Sequence, residues 1–396
     1  MKKVLVIGSG PAALMLAAHL DEQRFDVHIY ERNFAAGRKF LVAGDGGFNL
    51  THSENIDTFI TRYTPEYFLR DALMEFTNED LRKWMNTIGI STYIGTSKRV
   101  FPEKGIKPID VLNAILRVVE NKKVKFHFEQ EWKGWDKNDL VFSTENDHAE
   151  IVNADIVVFA LGGASWKVTG SDGGWKKYFD EKNICVNEFE PSNCSVKVNW
   201  EEKFISEYEG EALKNISVAC ADESKKGEIV ITKFGLEGGA VYFHSPQIRK
   251  QLRENKKAFI KIDLRPDLGV DIIREKIQQG NSNRSQLLRK ELGLSDAAVA
   301  LVKSKLSKEE FLSDEKLSSA IKNIPVEISG LALIDEAIST SGGIDLGEVS
   351  EIFELKNLPQ HFAIGEMLDW DAPTGGYLLQ ASFSMGWKLA QHLNKS

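Results

Sequence analysis

The sequence predicts an α/β protein: a three-layer domain assembled from both chain ends, with an inserted, mainly antiparallel β domain that carries a helical subdomain. Three observations predict it. Residues 1–31 hold a buried apolar run, a glycine turn, a small-residue helix and a second apolar run, the strand–helix–strand unit of a parallel sheet. After about residue 190 polar and apolar residues alternate, as in half-buried antiparallel strands. Residues 346–396 then return to an apolar strand and a long helix.

Residues 3–7 read as a strand, and its aliphatic run Val4-Leu5-Val6-Ile7 marks it as buried on both faces. Pro11 opens the helix that follows, where a missing N–H costs nothing, and the small residues after it allow close packing on a sheet. Residues 27–30 form the next strand, closing in Glu31. Helical periodicity covers 64–89, clearest at 78–85, and 108–121, where Ile109, Leu112, Ile115, Leu116 and Val119 make one face. Strands are expected at 124–128 and 155–160, with small antiparallel pieces at 132–142 and 150–152. In the middle of the chain, 195–198, 216–219, 228–231 and 259–262 alternate as strands do. From 269 to 324 the pattern is helical, and Ser307 with Glu310 makes a capping box. A strand at 360–365 and a helix from Gly376 or Tyr377 to Leu393 end the chain. The expected division is therefore 1–190 and 346–396 for the two segments of the nucleotide domain, 191–268 with 325–345 for a β-rich substrate domain, and 269–324 for the helical insert. A chain of 396 residues is longer than one core usually serves, which agrees with that division.

Composition narrows the function. The net charge of -8 argues against a polyanionic partner, so nucleic acid is not expected. Cys185, Cys194 and Cys220 form no CxxC pair, and eight scattered histidines show no ligand spacing, which argues against dithiol chemistry and a metal centre. The apolar run after Met1-Lys2-Lys3 stops at Gly8, too soon for a signal peptide. No stretch reaches the roughly 20 apolar residues of a membrane span, so a cytoplasmic protein acting on a small molecule is expected.

Gly8-Ser9-Gly10-Pro11-Ala12-Ala13 fits the GxGxxG/A fingerprint of a Rossmann-like dinucleotide site. Gly8 permits the turn, Gly10 lets backbone approach a pyrophosphate, and Ala13 lets helix and strand touch. Glu31, 21 residues after Gly10, is placed for a ribose hydroxyl, and Arg32 adjoins it. The fingerprint alone does not separate NAD from FAD. Gly37-Arg38-Lys39 and Gly46-Gly47-Phe48-Asn49 offer a second set of loops to an extended FAD, and no second fingerprint supplies a dedicated NAD(P) domain.

The sequence resembles the HI0933-like family, also called YhiN/BaiN, of NAD(P)/FAD-dependent oxidoreductases. The likeness runs over nearly the whole chain. It is carried by Glu31-Arg32-Asn33 with Gly37-Arg38-Lys39, the run from Asp45 to Thr51, Arg99-Val100-Phe101-Pro102 and Ala160-Leu161-Gly162-Gly163-Ala164-Ser165. Thr169-Gly170-Ser171-Asp172-Gly173, Thr232-Lys233-Phe234-Gly235-Leu236 and Gly365-Glu366-Met367-Leu368-Asp369 with Thr374 to Gln380 complete it. The resemblance implies an FAD-binding Rossmann-like domain in which 365–380 closes over the ribityl chain and isoalloxazine. Leu161, Gly162, Gly163, Gly365, Glu366, Asp369, Thr374, Gly375, Gly376, Tyr377 and Leu378 join the cofactor residues on that basis. It also implies that the last helix points its N–H groups at the O2/N1 edge of the flavin, stabilising the reduced form. The family commonly has Arg-Cys where this chain has Gly47-Phe48, which weakens any transfer of substrate chemistry.

Asp369, Trp166, Tyr377 and His244 are the catalytic candidates, with Lys167, Trp370, Asp371 and His52 behind them. The expected activity is FAD-dependent reduction of a small organic substrate through flavin N5, with NAD(P)H as transient hydride donor. The alternatives are an FAD oxidase or dehydrogenase reduced directly by its substrate, and a flavin-binding RNA-modification or sensor protein.

Overall fold

The computed structural model describes residues 1–42, 48–143, 149–280 and 283–396. Two compact units emerge: Met1–Pro191 with Ile334–Ser396, and Ser192–Leu333.

In the first unit, β1 (Lys2–Ile7), α1 (Pro11–His19) and β2 (Phe25–Glu31) form the expected strand–helix–strand. α2 (Arg38–Val42), α3 (Pro108–Asn121), β3 (Lys125–Phe128) and β4 (Ile156–Phe159) follow, and β5 (His361–Ala363) and α4 (Tyr377–Lys395) close the unit. Among the described residues the sheet has five strands in the order β5-β4-β1-β2-β3, all parallel. Val4, Leu5, Val6 and Ile7 are at most 2% exposed, as strands covered on both faces must be. Gly386 shows how tightly α4 lies on α1: a Cβ there would sit 2.4 Å from the Ala12 carbonyl oxygen. No helix among the described residues is long and apolar enough to cross a membrane.

Two expectations need correction here. The helix expected over 64–89 is two helices, Glu66–Glu75 and Asn78–Thr87, because Thr77 caps a new start in a reciprocal box with Asp80. Residues 334–345, expected in the β-rich domain, belong to the first unit. Ser339–Ile344 pairs with Val186–Ser192, and the Ile344 N–H donates to the Met367 carbonyl at 2.9 Å. All six residues of that strand are buried, so it has no solvent face to alternate.

The second unit holds a seven-stranded antiparallel sheet among its described residues. Its order is Ile324–Ile328, Ala258–Asp263, Ala212–Cys220, Glu223–Thr232, Gly235–Glu237, Val196–Lys197 and Gly330–Leu331. Helices Val270–Gln279, Arg284–Leu292, Asp296–Lys305, Lys308–Leu312 and Asp314–Lys322 are inserted before its last strands, and Ser307 and Glu310 form the capping box. Cys194 and Cys220 are buried here, and burial pushes the Cys220 thiol up to about 11, which leaves it protonated and inert.

Candidate functional site

β1 runs into Gly8, whose φ of +99° opens the glycine turn. A Cβ at Gly8 would lie 2.4 Å from the Ala160 carbonyl oxygen at the end of β4, so backbone itself excludes a side chain. Gly10 differs. Its φ is -75°, and a Cβ there would meet nothing within 4 Å. The bare backbone faces open space where α1 begins. Among the described residues the N–H groups of Gly10, Ala12 and Ala13 find no acceptor, and the first bond of the turn runs from Leu14 N–H to Gly10 O at 3.0 Å. Free amides at the positive end of a nine-residue helix make an anion cradle, and the geometry fits a diphosphate.

Glu31 ends β2 beside this cradle and holds it in shape. Its Oε2 accepts from the Ser9 N–H at 3.1 Å and the Ser9 hydroxyl at 2.6 Å; its Oε1 accepts from the Asn33 N–H at 2.8 Å and Asn33 Nδ2 at 2.6 Å. A carboxylate has about four lone-pair positions, so all are filled. Glu31 is thus a clamp on the glycine loop, and a ribose hydroxyl must replace the Ser9 or Asn33 side chain to reach it.

The neighbouring basic residues are committed as well. Arg32 donates to Asp172 at 2.9 Å and to the Gly170 carbonyl, and Arg38 donates to Asn33 Oδ1 at 2.6 Å. Gly37 is a packing glycine: its N–H donates to Ser9 O at 3.1 Å, and a Cβ would strike Leu112 at 2.8 Å. Lys39 reaches across the unit, donating to Ser165 Oγ at 2.9 Å and to Glu366 Oε2 at 3.0 Å. The other Glu366 oxygen accepts from the Thr340 N–H at 3.1 Å. Gly163 lets these groups meet, because a Cβ there would lie 2.2 Å from Thr340 Oγ1. Leu161 and Gly162 lead into it, and the Gly162 carbonyl accepts from the Trp175 indole at 3.1 Å.

After β5 the chain turns at Gly365 (φ +84°), where a Cβ would come within 3.3 Å of Ala12 Cβ, so the returning chain meets the start of α1. The turn into α4 uses Gly375 (φ +123°) and Gly376 (φ +96°), and a Cβ on Gly376 would lie 2.4 Å from Thr51 Cα. Thr374 precedes this turn, and Leu378 stands half-buried in the first turn of α4. The Tyr377 hydroxyl donates to Glu54 Oε1 at 2.6 Å, and Arg62 donates to both Glu54 oxygens at 3.1 Å. Tyr63 donates to the Tyr377 carbonyl at 2.8 Å, and the His52 ring stacks on Tyr377 with centroids 5.4 Å apart. Burial works to raise the Glu54 carboxyl, but the bonds from Arg62 and Tyr377 outweigh it and hold the group below its usual range. Burial and the adjacent Glu54 push the Tyr377 phenol far up, so it stays neutral.

The other catalytic candidates do not converge. Asp369 has both oxygens engaged, by Asn187 Nδ2 at 2.8 Å and the Gly342 N–H at 2.8 Å, and pins the buried strand beside it. Trp370 is 1% exposed and donates to Gly365 O at 2.9 Å, which places it in the core. Asp371 is also buried, paired by backbone with Thr64. Trp166 is half-buried with φ +64°, and Lys167 points to Asp335 on the surface. His244 lies in the core of the other unit, fully buried, with Nε2 bonded to Val218 O at 2.9 Å; burial lowers its pKa. Phe48 packs edge-on against Phe40 at 5.0 Å and Asn49 is half-buried, while Gly46 and Gly47 lie outside the described residues. Sequence reasoning missed Ser9, Thr340, Glu54 and Arg62. Only folding shows that they meet the motifs.

A sequence model of the HI0933-like protein Rossmann domain matches residues 2–392. The chain belongs to the HI0933-like family. Like the family resemblance of its motifs, this makes it an FAD-dependent oxidoreductase on a Rossmann-like fold, here with an antiparallel unit inserted. Among HI0933-like relatives it is 24% identical over 410 residues to a 3-dehydro-bile acid delta(4,6)-reductase of Clostridium scindens, covering 98% of each chain. It is 24% identical over 409 residues to a ribosomal RNA dihydrouridine synthase of Escherichia coli, covering 98% of this chain and 97% of that one. In fold it is similar to a flavocytochrome c3 fumarate reductase, with TM-score 0.53 and 14% identity, over 100% of this chain and 78% of the other. A 3-ketosteroid-delta4-(5alpha)-dehydrogenase of Rhodococcus jostii gives the same TM-score of 0.53 and identity of 14%, over 100% of this chain and 97% of the other.

Proposed function

We propose that this protein reduces a carbon–carbon double bond conjugated to a carbonyl in a small organic substrate, using FAD and hydride drawn from NAD(P)H. The observation that carries the reading is the cradle at α1: a bare Gly10 backbone and free amides built for one diphosphate. The chain has one such fingerprint, so the pyridine nucleotide is expected to dock transiently and leave before the substrate is reduced. The substrate class rests on the two relatives' names, since a dienone steroid and a uracil ring both present an alkene conjugated to a carbonyl.

When bound, FAD supplies a two-electron carrier that accepts and returns hydride at N5. The amides of Gly10, Ala12 and Ala13 would hold its diphosphate, Glu31 with Ser9 and Asn33 its ribose side, and Lys39 with Glu366 its ribityl chain. The first amides of α4 would face the pyrimidine edge of the ring. Tyr377 orients this turn: its hydroxyl is fixed on Glu54 and its phenol stays neutral, which gives it a positioning role. Each turnover needs one hydride and one proton for the two alkene carbons.

Anaerobic stopped-flow tests the scheme. NADH or NADPH is expected to bleach the flavin, and a 3-keto-4-ene steroid to restore its colour. Bleaching by the saturated 3-ketosteroid alone, with none by either nucleotide, would establish the dehydrogenase reading instead. The RNA reading is favoured by the Escherichia coli relative; recovery of colour with uridine-containing RNA but not with enones would establish it.

A further inference from the structure

Among the described residues the guanidinium of Arg99 has neither an ion pair nor a hydrogen bond, although the residue is half-buried. The other cations around the site are engaged: Arg62 with Glu54, Arg32 with Asp172 and Lys39 with Glu366. Arg99 begins the strand Arg99–Pro102, which pairs antiparallel with Thr51–His52 and sets Arg99 opposite His52. A Cβ on Gly375 would lie 3.5 Å from Arg99 Nε, so this cation lies over the bare backbone that opens α4. The nearby carboxylate, Glu54, is already taken by Arg62 and Tyr377. Next to the same turn Thr51 is fully buried and its Oγ1 has no hydrogen-bond partner.

An unpaired cation and the positive end of a 19-residue helix therefore share one place, with no anion paired to the guanidinium among the described residues. Holding a guanidinium partly out of water without a partner is unfavourable, and an arriving negative charge removes that cost. We propose that Arg99 is the counter-charge for the N1–C2 oxygen edge of reduced flavin. The proposal rests on the reading above, in which the flavin ring lies at the start of α4. Hydride from NAD(P)H brings two electrons and one proton to N5. The ring then carries one negative charge, spread over N1 and the C2 oxygen, while the nicotinamide leaves as its oxidised cation. Arg99 takes that charge together with the first amides of α4. Oxidised FAD has no such charge on its ring, so Arg99 matters little for its uptake.

The test uses the FAD-loaded protein and three variants, Arg99→Gln, Arg99→Met and Arg99→Lys. Met keeps the apolar stem if Gln disturbs folding. The readouts are FAD affinity, the affinity for sulfite, which adds at N5 and places the same negative charge on the ring, and the midpoint potential measured against a reference dye. Gln and Met are expected to keep FAD affinity near wild type and to weaken sulfite binding by about tenfold. The midpoint is expected to fall by about 30 mV, the two-electron equivalent of tenfold. Lys is expected to restore most of both. Unchanged sulfite affinity and potential in FAD-loaded Gln and Met variants would overturn the proposal, and a rise in substrate KM alone would assign Arg99 to the substrate instead. Failure of the wild-type protein to take up FAD is a different result, one that removes the underlying reading.

Discussion

Two helix starts in the same unit are both reached through glycines at positive φ, yet they are built in opposite ways. At α1 the anion is part of the protein: Glu31 accepts four hydrogen bonds and locks the loop before any ligand arrives. At α4 the protein supplies charge of the other sign, with Arg99 unpaired beside Gly375 and Thr51 Oγ1 unsatisfied beside Gly376 among the described residues. On the proposed reading, the difference matches what each would hold. A diphosphate carries its charge at all times, so a rigid cradle of neutral amides suffices. A flavin ring gains its charge during turnover, and a site with cationic character and no fixed counter-ion favours that change. On that reading one start is preorganised for binding and the other for reduction.

The comparison is tested most severely at Gly8. Gly8→Ala puts a Cβ 2.4 Å from the Ala160 carbonyl on a residue at φ +99°, combining a clash with left-handed strain. It should cost about 3 kcal/mol of stability and abolish FAD uptake together. Thermal melting with and without FAD would measure both, and a stable Gly8→Ala protein that binds FAD would show that the cradle is not rigid.

A smaller effect is expected at the second start. Tyr377→Phe removes the hydroxyl from Glu54 but leaves Arg62 in place, a loss of about 1 kcal/mol. The sign of its pH dependence follows from Glu54. Because the folded carboxyl is held below its ordinary value of 4.5, its contribution to stability is complete above that value and is lost as pH falls through the folded one. The substitution takes away one of the groups that lower it, so the folded value moves up, the gap narrows and the acid loss should weaken. Urea midpoints at about pH 7 and about pH 3.5 would read the difference. An equal loss at both, relative to wild type, would mean that the hydroxyl does not couple to Glu54.

Much of this was legible beforehand, for reasons that differ by element. The β1–α1–β2 unit announces itself because a run of apolar residues, two glycines and a small-residue helix each have one physical use. The strand Ser339–Ile344 does not: its glycines and hydroxyls look like a loop, and only complete burial against neighbouring backbone makes it a strand. The break at Thr77 was written in its capping box with Asp80, but lay inside a longer helical periodicity that concealed it. Lys39 and Glu366 stand 327 residues apart, so their pairing is a product of folding. Arg99 lay within a motif that the family resemblance marked as specific. What a linear pattern cannot show is that a charge has been left without a partner.

The smallest expected change in stability is also the sharpest separation of fold from function. Gly10 is followed by Pro11 and has a φ of -75°, which any residue adopts, and a Cβ there meets nothing within 4 Å. The protein alone thus gives no reason for glycine at this position, and Gly10→Ala should change stability by no more than about 0.5 kcal/mol. If a diphosphate lies against this backbone, the added methyl stands where a phosphate oxygen would approach, and FAD affinity should fall by about tenfold or more. Gly8→Ala and Gly10→Ala then make a pair, one failing through the fold and the other through the ligand alone. Equilibrium titration of FAD into the folded Gly10→Ala protein decides it. Wild-type affinity there would mean that the open space before α1 is not where the diphosphate sits.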